Sequence, residues 1–387
     1  MMATVVPPAP VREDLSPFPT GPGTAAGRYL RDFWQPVALS TDLAPGEAKP
    51  LKILGEDFTF YRGMDGTPVI TAPGCPHRQT RLSLGTVEGN DIRCLFHGWK
   101  FDSAGACLEA PGQGGTLVQR TRVATYPAAD HHGLIFGYFG AGEPPALPDI
   151  FGFSKKYGRD MENARVHDVG TYRRLCNYYI NVENVLDLAH VPFTHRLSSD
   201  PTVTEVGFSA SVGVVRDITI ERSELGIKAV EVDADGYPTE AMVILPNAMH
   251  LIVGQRDGYL EQVAWRVPVD DETHLSFQVT TLHTDEPGAE RYWAYKERQG
   301  ALIAKYPDTE ICAEQILRGE KSLRDFVDHP LLVNIEDHVA QMGMRFIADI
   351  GKENLAQSDK GVIQLRRMFM SRLADYVSGT PNVVHTW

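Results

Sequence analysis

The sequence predicts an α+β protein of two domains, and two observations carry this prediction. From Val37 to about Gly140, short alternating runs such as 58–61 are separated by Gly, Asp and Pro turns, which is typical of a small antiparallel β domain. Beyond a Pro/Gly-rich stretch at 140–148, longer helical and strand-like runs follow, which indicates one antiparallel sheet covered by helices.

The first domain is predicted over residues 25–145. Residues 1–24 precede it and are rich in Pro and Gly, so we expect an N-terminal arm there. A short amphipathic helix is predicted from Ala25 to Trp34, because Pro36 cannot continue it.

The second domain is predicted over residues 146–387. We expect a helix containing Asn177–Ala189, strands between about Val203 and Leu282, and helices from about Glu290 onward. The strand-like runs include 241–245, 250–253 and 261–268.

Composition excludes several classes of function. The 387 residues are 43% hydrophobic and 22% charged, which is ordinary for a globular protein. A net charge of -13, with Lys and Arg never running longer than a pair, argues against a nucleic-acid partner. The apolar run 133–140 is too short to span a membrane. The N-terminus lacks the layout of a signal peptide, so a cytoplasmic location is predicted.

Two short loops pair a thiol with an imidazole. Cys75 and His77 form one pair, and Cys94 and His97 form the other after sixteen intervening residues, 78–93. Zinc and iron–sulfur sites both use such ligands, but one thiolate and one imidazole in each half suit a [2Fe-2S] cluster with both thiolates on one iron and both imidazoles on the other. Gly98 leaves backbone room there, and we expect amides of this loop to donate hydrogen bonds to sulfur.

The remaining cysteines have no such partners. Cys107, Cys176 and Cys312 are predicted to be buried thiols, because an odd total of five in a long chain does not form a disulfide framework.

The stretch 187–195 places a carboxylate and two imidazoles within nine residues. Asp187 and His190 would share a helix face and could be an ordinary hydrogen-bonded pair. Pro192 is expected to push Val191 out of the helical region and stop the helix, so that His195 folds back beside His190. Two imidazoles and one carboxylate are the ligands of oxygen-activating ferrous iron. Asp187 could be that carboxylate, or it could orient His190 by a hydrogen bond.

If Asp187 orients rather than binds, another carboxylate must arrive from a distant segment. Asp337 is the strongest candidate, because Glu336 and Asp337 interrupt an otherwise apolar helical stretch; the alternative is a solvated helix face. His338 is expected at the surface or beside the ligands. The weaker rivals are Asp325, Asp328 and Asp349.

These motifs resemble the oxygenase (alpha) component of the Rieske non-haem iron oxygenases. The resemblance extends from 29–34 through both Cys/His loops and 184–195 to Arg366. It implies an N-terminal antiparallel β Rieske [2Fe-2S] domain and a C-terminal helix-grip catalytic domain. The implied roles are cluster ligation by Cys75, His77, Cys94 and His97, mononuclear Fe(II) ligation by His190, His195 and Asp337, a bridging role for Asp187, and a place near the iron for Asn184.

The three-residue spacing from Asn184 to Asp187, with the run 265–271, resembles the branch of vanillate O-demethylase and of phthalate and phenoxybenzoate oxygenases. This resemblance implies a homo-oligomer, a trimer or stacked trimers, in which His97 of one chain meets Asp187 of the next. Electrons would come from NAD(P)H through a flavin and iron–sulfur reductase or a ferredoxin.

The implied function is a terminal oxygenase that uses O2 to hydroxylate or O-/N-dealkylate a small aromatic substrate. One alternative is cis-dihydroxylation of an aromatic acid, and another is a Rieske electron carrier without oxygenase activity. The predicted pocket wall lies on the central strands: Phe208, Met242, Leu245, Asn247, Met249, Leu251 and Val253.

Overall fold

The computed structural model describes residues 14–150, 164–199, 216–232, 236–255, 258–344 and 352–380. It shows an N-terminal region of short antiparallel strands followed by one large antiparallel sheet with helices packed on it. The predicted α+β class is therefore confirmed.

The N-terminal strands form three small sheets, in the orders β1-β11-β10, β2-β3-β4-β9 and β5-β6-β7-β8. The strands are β1 (Gln35–Leu39), β2 (Ala48–Ile53), β3 (Glu56–Arg62), β4 (Pro68–Thr71), β5 (Thr86–Glu88), β6 (Asp91–Arg93), β7 (Lys100–Phe101), β8 (Cys107–Glu109), β9 (Thr125–Tyr126), β10 (Ala128–His131) and β11 (Leu134–Gly137). Helix α1 (Ala25–Arg31) precedes them and α2 (Gly115–Arg120) lies between β8 and β9.

The second region contains a seven-stranded antiparallel sheet in the order β12-β18-β17-β16-β15-β14-β13. Its strands are β12 (Ala164–Arg174), β13 (Thr219–Arg222), β14 (Gly226–Val232), β15 (Pro238–Ile244), β16 (Ala248–Gln255), β17 (Gly258–Pro268) and β18 (His274–His283). The helices are α3 (Tyr178–Asn184), α4 (Val191–Thr194), α5 (Glu286–Ile303), α6 (Thr309–Leu317), α7 (Leu332–Gly343) and α8 (Lys360–Val377).

Strand β12 was not predicted, although it pairs with β18 along ten residues from His274 to His283. Its sequence is rich in Arg and contains Gly170, so it lacks the apolar alternation that marks a half-buried strand. The predicted helix over 177–189 is also shorter, because α3 ends at Asn184 and a 3₁₀ turn covers Leu188–His190.

The two faces of the large sheet have different neighbours. Trp265 of β17 packs edge to face on Phe136 of β11 at 5.3 Å, so the N-terminal strands cover one face. The described part of the predicted arm also lies against the second region, because Tyr178 Oη donates a 2.8 Å hydrogen bond to the carbonyl of Pro17. The other face of the sheet lines the candidate site.

Among the described residues, no helix combines the length and the apolar character that a bilayer crossing requires.

Candidate active site

The two Cys/His loops lie at the ends of neighbouring hairpins and are closed by their own backbone. Cys75 N–H donates to the carbonyl of Thr80, and Cys94 N–H donates to the carbonyl of Trp99, both at 2.8 Å. Both thiols are buried, and burial raises the pKa of Cys75 to about 11. The backbone amides of His77 and Arg78 act on that sulfur in the opposite direction.

The imidazoles of the two loops face each other. The ring centroids of His77 and His97 are 4.4 Å apart, and His77 stacks on Trp99 at 4.6 Å. Nδ1 of His77 is buried and has no hydrogen-bond partner in the described ranges of the chain, whereas His97 is exposed beside Phe96. The His97 imidazole is therefore the more exposed of the two, and the His77 imidazole is partly buried.

In the second loop, Gly98 adopts a left-handed backbone conformation. Gly98 has φ +72°, which suits glycine, and a Cβ there would meet only Pro111 Cγ, at 3.5 Å. Its amide donates to the carbonyl of Cys94 at 3.1 Å and so is used within the loop.

The chain turns at Asp187, and this turn positions the two downstream histidines. Pro192 lies in the first turn of α4, where a missing N–H costs nothing, and Val191 adopts helical φ/ψ of -51°/-51°. The predicted exclusion of Val191 from the helical region is therefore wrong. The helix instead breaks earlier, after Asn184, and the short α4 carries the chain round to His195.

His190, His195 and Asp337 converge although Asp337 is distant in sequence. One ligand atom from each lies within 4.8 Å of the others. Oδ1 of Asp337 is 3.5 Å from Nε2 of His195 and 3.7 Å from Nε2 of His190, and no described residue forms a hydrogen bond with it. A buried, unpartnered carboxylate oxygen facing two imidazole nitrogens is a good fit for a divalent cation.

The second nitrogen of each imidazole is fixed by another group. Nδ1 of His190 donates to the backbone carbonyl of Asp187. Nδ1 of His195 donates to the buried carboxylate of Glu336 at 3.2 Å. Glu336 also accepts from Ser198 Oγ at 2.6 Å. Both histidines are thereby held in the tautomer whose Nε2 can bind a metal.

The other acidic residues of 325–349 occupy different environments in the structure. Glu336 is fully buried and does not lie on a solvated helix face. Its hydrogen bond to His195 was not predicted from the sequence. Asp325 caps a 3₁₀ turn at Ser322 and Asp328 is exposed, so neither reaches the histidines. Asp349 lies outside the described residues.

His338 does not lie at the surface, where one expectation placed it. It has no exposed surface, and burial lowers its pKa to about 2, with the Arg174 charge acting in the same direction.

Asp187 is half-buried beside this group, and burial raises its pKa while His190 opposes the rise. The His190–His195–Asp337 group does not include it. Its backbone carbonyl, and not a carboxylate-to-imidazole hydrogen bond, orients the His190 ring.

A cavity of about 460 Å³ is lined by Asp337, and its size is typical of a small-molecule site. Its floor is one face of β14–β18 and β12, and its roof is formed by α3, α4 and α7, including Asn184 and Asp337. Of the predicted wall residues, Met249, Leu251 and Val253 line it.

The other predicted wall residues lie elsewhere. Met242 lies on the opposite face of the sheet, out of phase with the cavity-lining Ala241, since neighbouring residues of a strand point to opposite faces. Leu245 and Asn247 lie at the turn that contacts Trp34 of the N-terminal region. Phe208 lies outside the described residues.

Comparison with known proteins agrees with this geometry. Residues 33–127 match the Rieske [2Fe-2S] domain. The chain is 28% identical to the 5,5'-dehydrodivanillate O-demethylase oxygenase subunit of Sphingobium sp., over 90% of this chain and 77% of that protein. It is 30% identical to the phenoxybenzoate dioxygenase subunit alpha of Ectopseudomonas oleovorans, over 94% of this chain and 85% of that protein.

The fold is also that of a solved structure. NdmB of Pseudomonas putida CBB5 superposes with a TM-score of 0.65 at 17% identity, covering 91% of this chain and 94% of NdmB.

The chain belongs to the Rieske non-haem iron oxygenases, as an oxygenase subunit. Members carry a [2Fe-2S] cluster and a mononuclear iron and depend on reductase or ferredoxin partners for electrons. The resemblance drawn from the sequence is confirmed, and the zinc alternative for the Cys/His loops and the pure electron carrier are both set aside.

Proposed function

We propose that this chain is a terminal oxygenase that adds one oxygen atom of O2 to a small aromatic substrate, by hydroxylation or by O- or N-dealkylation. The observation that carries the proposal is the convergence of His190, His195 and Asp337, of which Asp337 lines a cavity of about 460 Å³. A facial group of two imidazoles and one carboxylate leaves coordination positions for other ligands.

The same proposal assigns the metal-binding residues. Cys75, Cys94, His77 and His97 hold the [2Fe-2S] cluster, and the unpartnered buried Nδ1 of His77 supports that assignment. The mononuclear iron is held by His190, His195 and Asp337, which the orphaned Oδ1 of Asp337 supports.

The bound iron supplies the activation of oxygen. The protein residues position and shield that centre. Glu336 and the Asp187 carbonyl hold the two imidazoles in orientation. Apolar side chains from the floor and the roof, such as Leu251 and Val191, keep part of the cavity dry, and Asn184 adds a polar amide near the ligands.

The names of the relatives support an aromatic substrate. One is an O-demethylase acting on 5,5'-dehydrodivanillate and another is a phenoxybenzoate dioxygenase. The second name favours cis-dihydroxylation as the second candidate reaction.

Electron delivery is proposed to cross between subunits. His97 is exposed and Asp187 is half-buried beside His190, so a neighbouring His97 can approach Asp187 in a homotrimer or in stacked trimers. An NAD(P)H-dependent flavin and iron–sulfur reductase, or a ferredoxin, would reduce the cluster. A cytoplasmic location remains a proposal, based on the five unpaired cysteines.

Oxygen uptake tests the function. The purified holoenzyme with a reductase and NADH would be given aryl methyl ethers, N-methyl anilides and unsubstituted aromatic acids. Formaldehyde release in step with O2 consumption supports dealkylation, whereas loss of the aromatic absorption band indicates cis-dihydroxylation. Oxygen consumption that no aromatic compound stimulates would contradict both.

A further inference from the structure

One end of the cavity carries an arginine that makes no ion pair with any described residue. Arg266 of β17 is 7% exposed and lines the cavity. Its Nη2 lies 3.0 Å from Met249 Sδ, while its Nε and Nη1 have no hydrogen-bond partner among the described residues. Buried donors of a charged group are costly to leave unpaired, so this guanidinium calls for an acceptor.

The carboxylates around the cavity do not supply that acceptor. Asp337 faces His190 and His195, and the guanidinium within 4 Å of it belongs to Arg174, at 3.8 Å. The charge of Asp337 also acts on Arg266, but the two groups form neither a hydrogen bond nor an ion pair. Glu231, farther along the floor, is paired with Arg216 at 2.9 Å. In the part of the chain that the structure describes, Arg266 makes no ion pair.

A second buried arginine makes this end of the cavity more positive. Tyr172, Ser276 and Arg266 form one cross-strand row, and Arg174 is two positions from Tyr172 on the same face. The guanidinium carbons of Arg174 and Arg266 lie 5.1 and 5.7 Å from the centre of the Tyr172 ring.

The positive charges of both arginines act on the pKa of Tyr172. Burial raises the pKa of Tyr172, but Arg266, Arg174 and two hydrogen bonds outweigh it and bring the pKa below its ordinary value. Apolar side chains line the floor next to this end, including Met249 and Leu251. The cavity thus joins an anion site to an apolar surface.

We propose that the substrate is an aromatic carboxylate whose carboxylate group is bound by the guanidinium of Arg266, with its ring on the apolar floor. The planar fork of arginine matches a carboxylate through two parallel hydrogen bonds. This inference rests on the proposed oxygenase function and narrows its substrate class.

Binding measured without turnover tests the inference. The probes are 4-methoxybenzoate and its neutral analogue 4-methoxybenzamide, titrated calorimetrically into the full-length holoenzyme. We expect the acid to bind about tenfold or more tightly than the amide, because only the acid pairs the buried charge. Equal affinities, or no measurable binding of either probe, would overturn the inference.

Variants then locate the anion site. R266Q should bind both probes with affinities within about twofold of each other, because the charge is gone. R216Q removes a charge from the same cavity that Glu231 already neutralises, so it should keep the preference for the acid. An R266Q that keeps the preference shows that Arg266 serves the fold alone and refutes the assignment.

A folding defect in R266Q would still allow the role of Arg266 to be tested. If R266Q does not fold, R266K serves as the second variant. It keeps the charge without the planar fork, so its preference for the acid should be reduced. If R266K also fails to fold, the comparison of acid and amide binding to the wild-type enzyme decides whether the inference holds. Oxygen uptake distinguishes the two proposals: coupled oxidation of neutral aryl ethers with no preference for acids overturns this inference alone. Tight acid binding without coupled oxygen uptake overturns the oxygenase reaction alone.

Discussion

The carboxylate of Glu336 lies 3.2 Å from Nδ1 of His195, across 141 positions of the chain, and is fully buried. Consecutive residues of α7 therefore serve one imidazole: Asp337 faces its Nε2, and Glu336 fixes its Nδ1. Glu336 also accepts from the Leu197 and Ser198 amides, so it ties the end of α4 to α7. The ligand geometry depends on this one carboxylate as much as on the ligands themselves.

Replacing Glu336 by Gln should weaken mononuclear iron binding by roughly 10- to 100-fold, because the amide no longer fixes the His195 tautomer as a carboxylate does. Iron content after dialysis against graded chelator measures the loss. The visible absorption of the cluster should be unchanged, and E320Q, at an exposed position, is the matched control. Unaltered iron affinity in E336Q would show that the hydrogen bond to His195 is dispensable.

Asp337→Ala should lose the mononuclear iron while the [2Fe-2S] spectrum persists, because the Cys/His loops belong to a different domain region. Metal analysis for iron per chain, before and after, gives the answer, with D328A as an exposed aspartate control. Retention of the iron in D337A would mean that another carboxylate is the third ligand.

The bridging role proposed for Asp187 predicts a different pattern. Asp187→Asn should leave both metal centres bound but slow electron transfer between them by roughly 100-fold or more. Rapid-mixing reoxidation of the pre-reduced cluster by O2, in the presence of substrate, measures this rate. D375N removes a comparable charge from an exposed position and should react normally. A D187N enzyme as fast as wild type would reject the bridge.

Local spacing explains which features the sequence could predict. Cys75 and His77 lie two positions apart, and His190 and His195 lie five apart, so their convergence is readable without a fold. Asp337 lies beside these histidines only because α7 packs on α4, and residue spacing does not predict that contact. The sequence indicates Asp337 only because Glu336 and Asp337 interrupt an otherwise apolar stretch.

Burial and strand register explain what could not be predicted. Glu336 and Arg266 look like surface residues in the sequence, and only the fold shows both as buried. Strand β12 was missed because its cavity face carries Tyr172 and Arg174 where a core strand would carry apolar residues. Two of these residues, Tyr172 and Arg266, line the cavity, so the local rules fail in part at the candidate site.

The pair formed by the buried Glu183 and the partly buried Arg366 is predicted to stabilise the packing of α8. Arg366 Nη2 lies 2.6 Å from Glu183 Oε2 and its Nε lies 2.5 Å from Oε1, a bidentate contact between α8 and α3. Arg366→Ala would leave the buried carboxylate unpaired and should lower the free energy of unfolding by about 3 kcal/mol. Thermal or urea denaturation measures the change, and R367A, at the exposed neighbouring position, should have little effect.

The loss in Arg366→Ala should also depend on pH. Burial raises the pKa of Glu183 and the hydrogen bonds from Arg366 oppose that rise, so removing Arg366 raises the pKa further. The folded variant then binds a proton that the unfolded chain releases, and its stability falls as pH rises through the range between the two pKa values. The gap between wild type and variant should therefore be larger near about pH 8 than near about pH 5. A gap that is constant across this range would show that Glu183 does not change its protonation when Arg366 is removed.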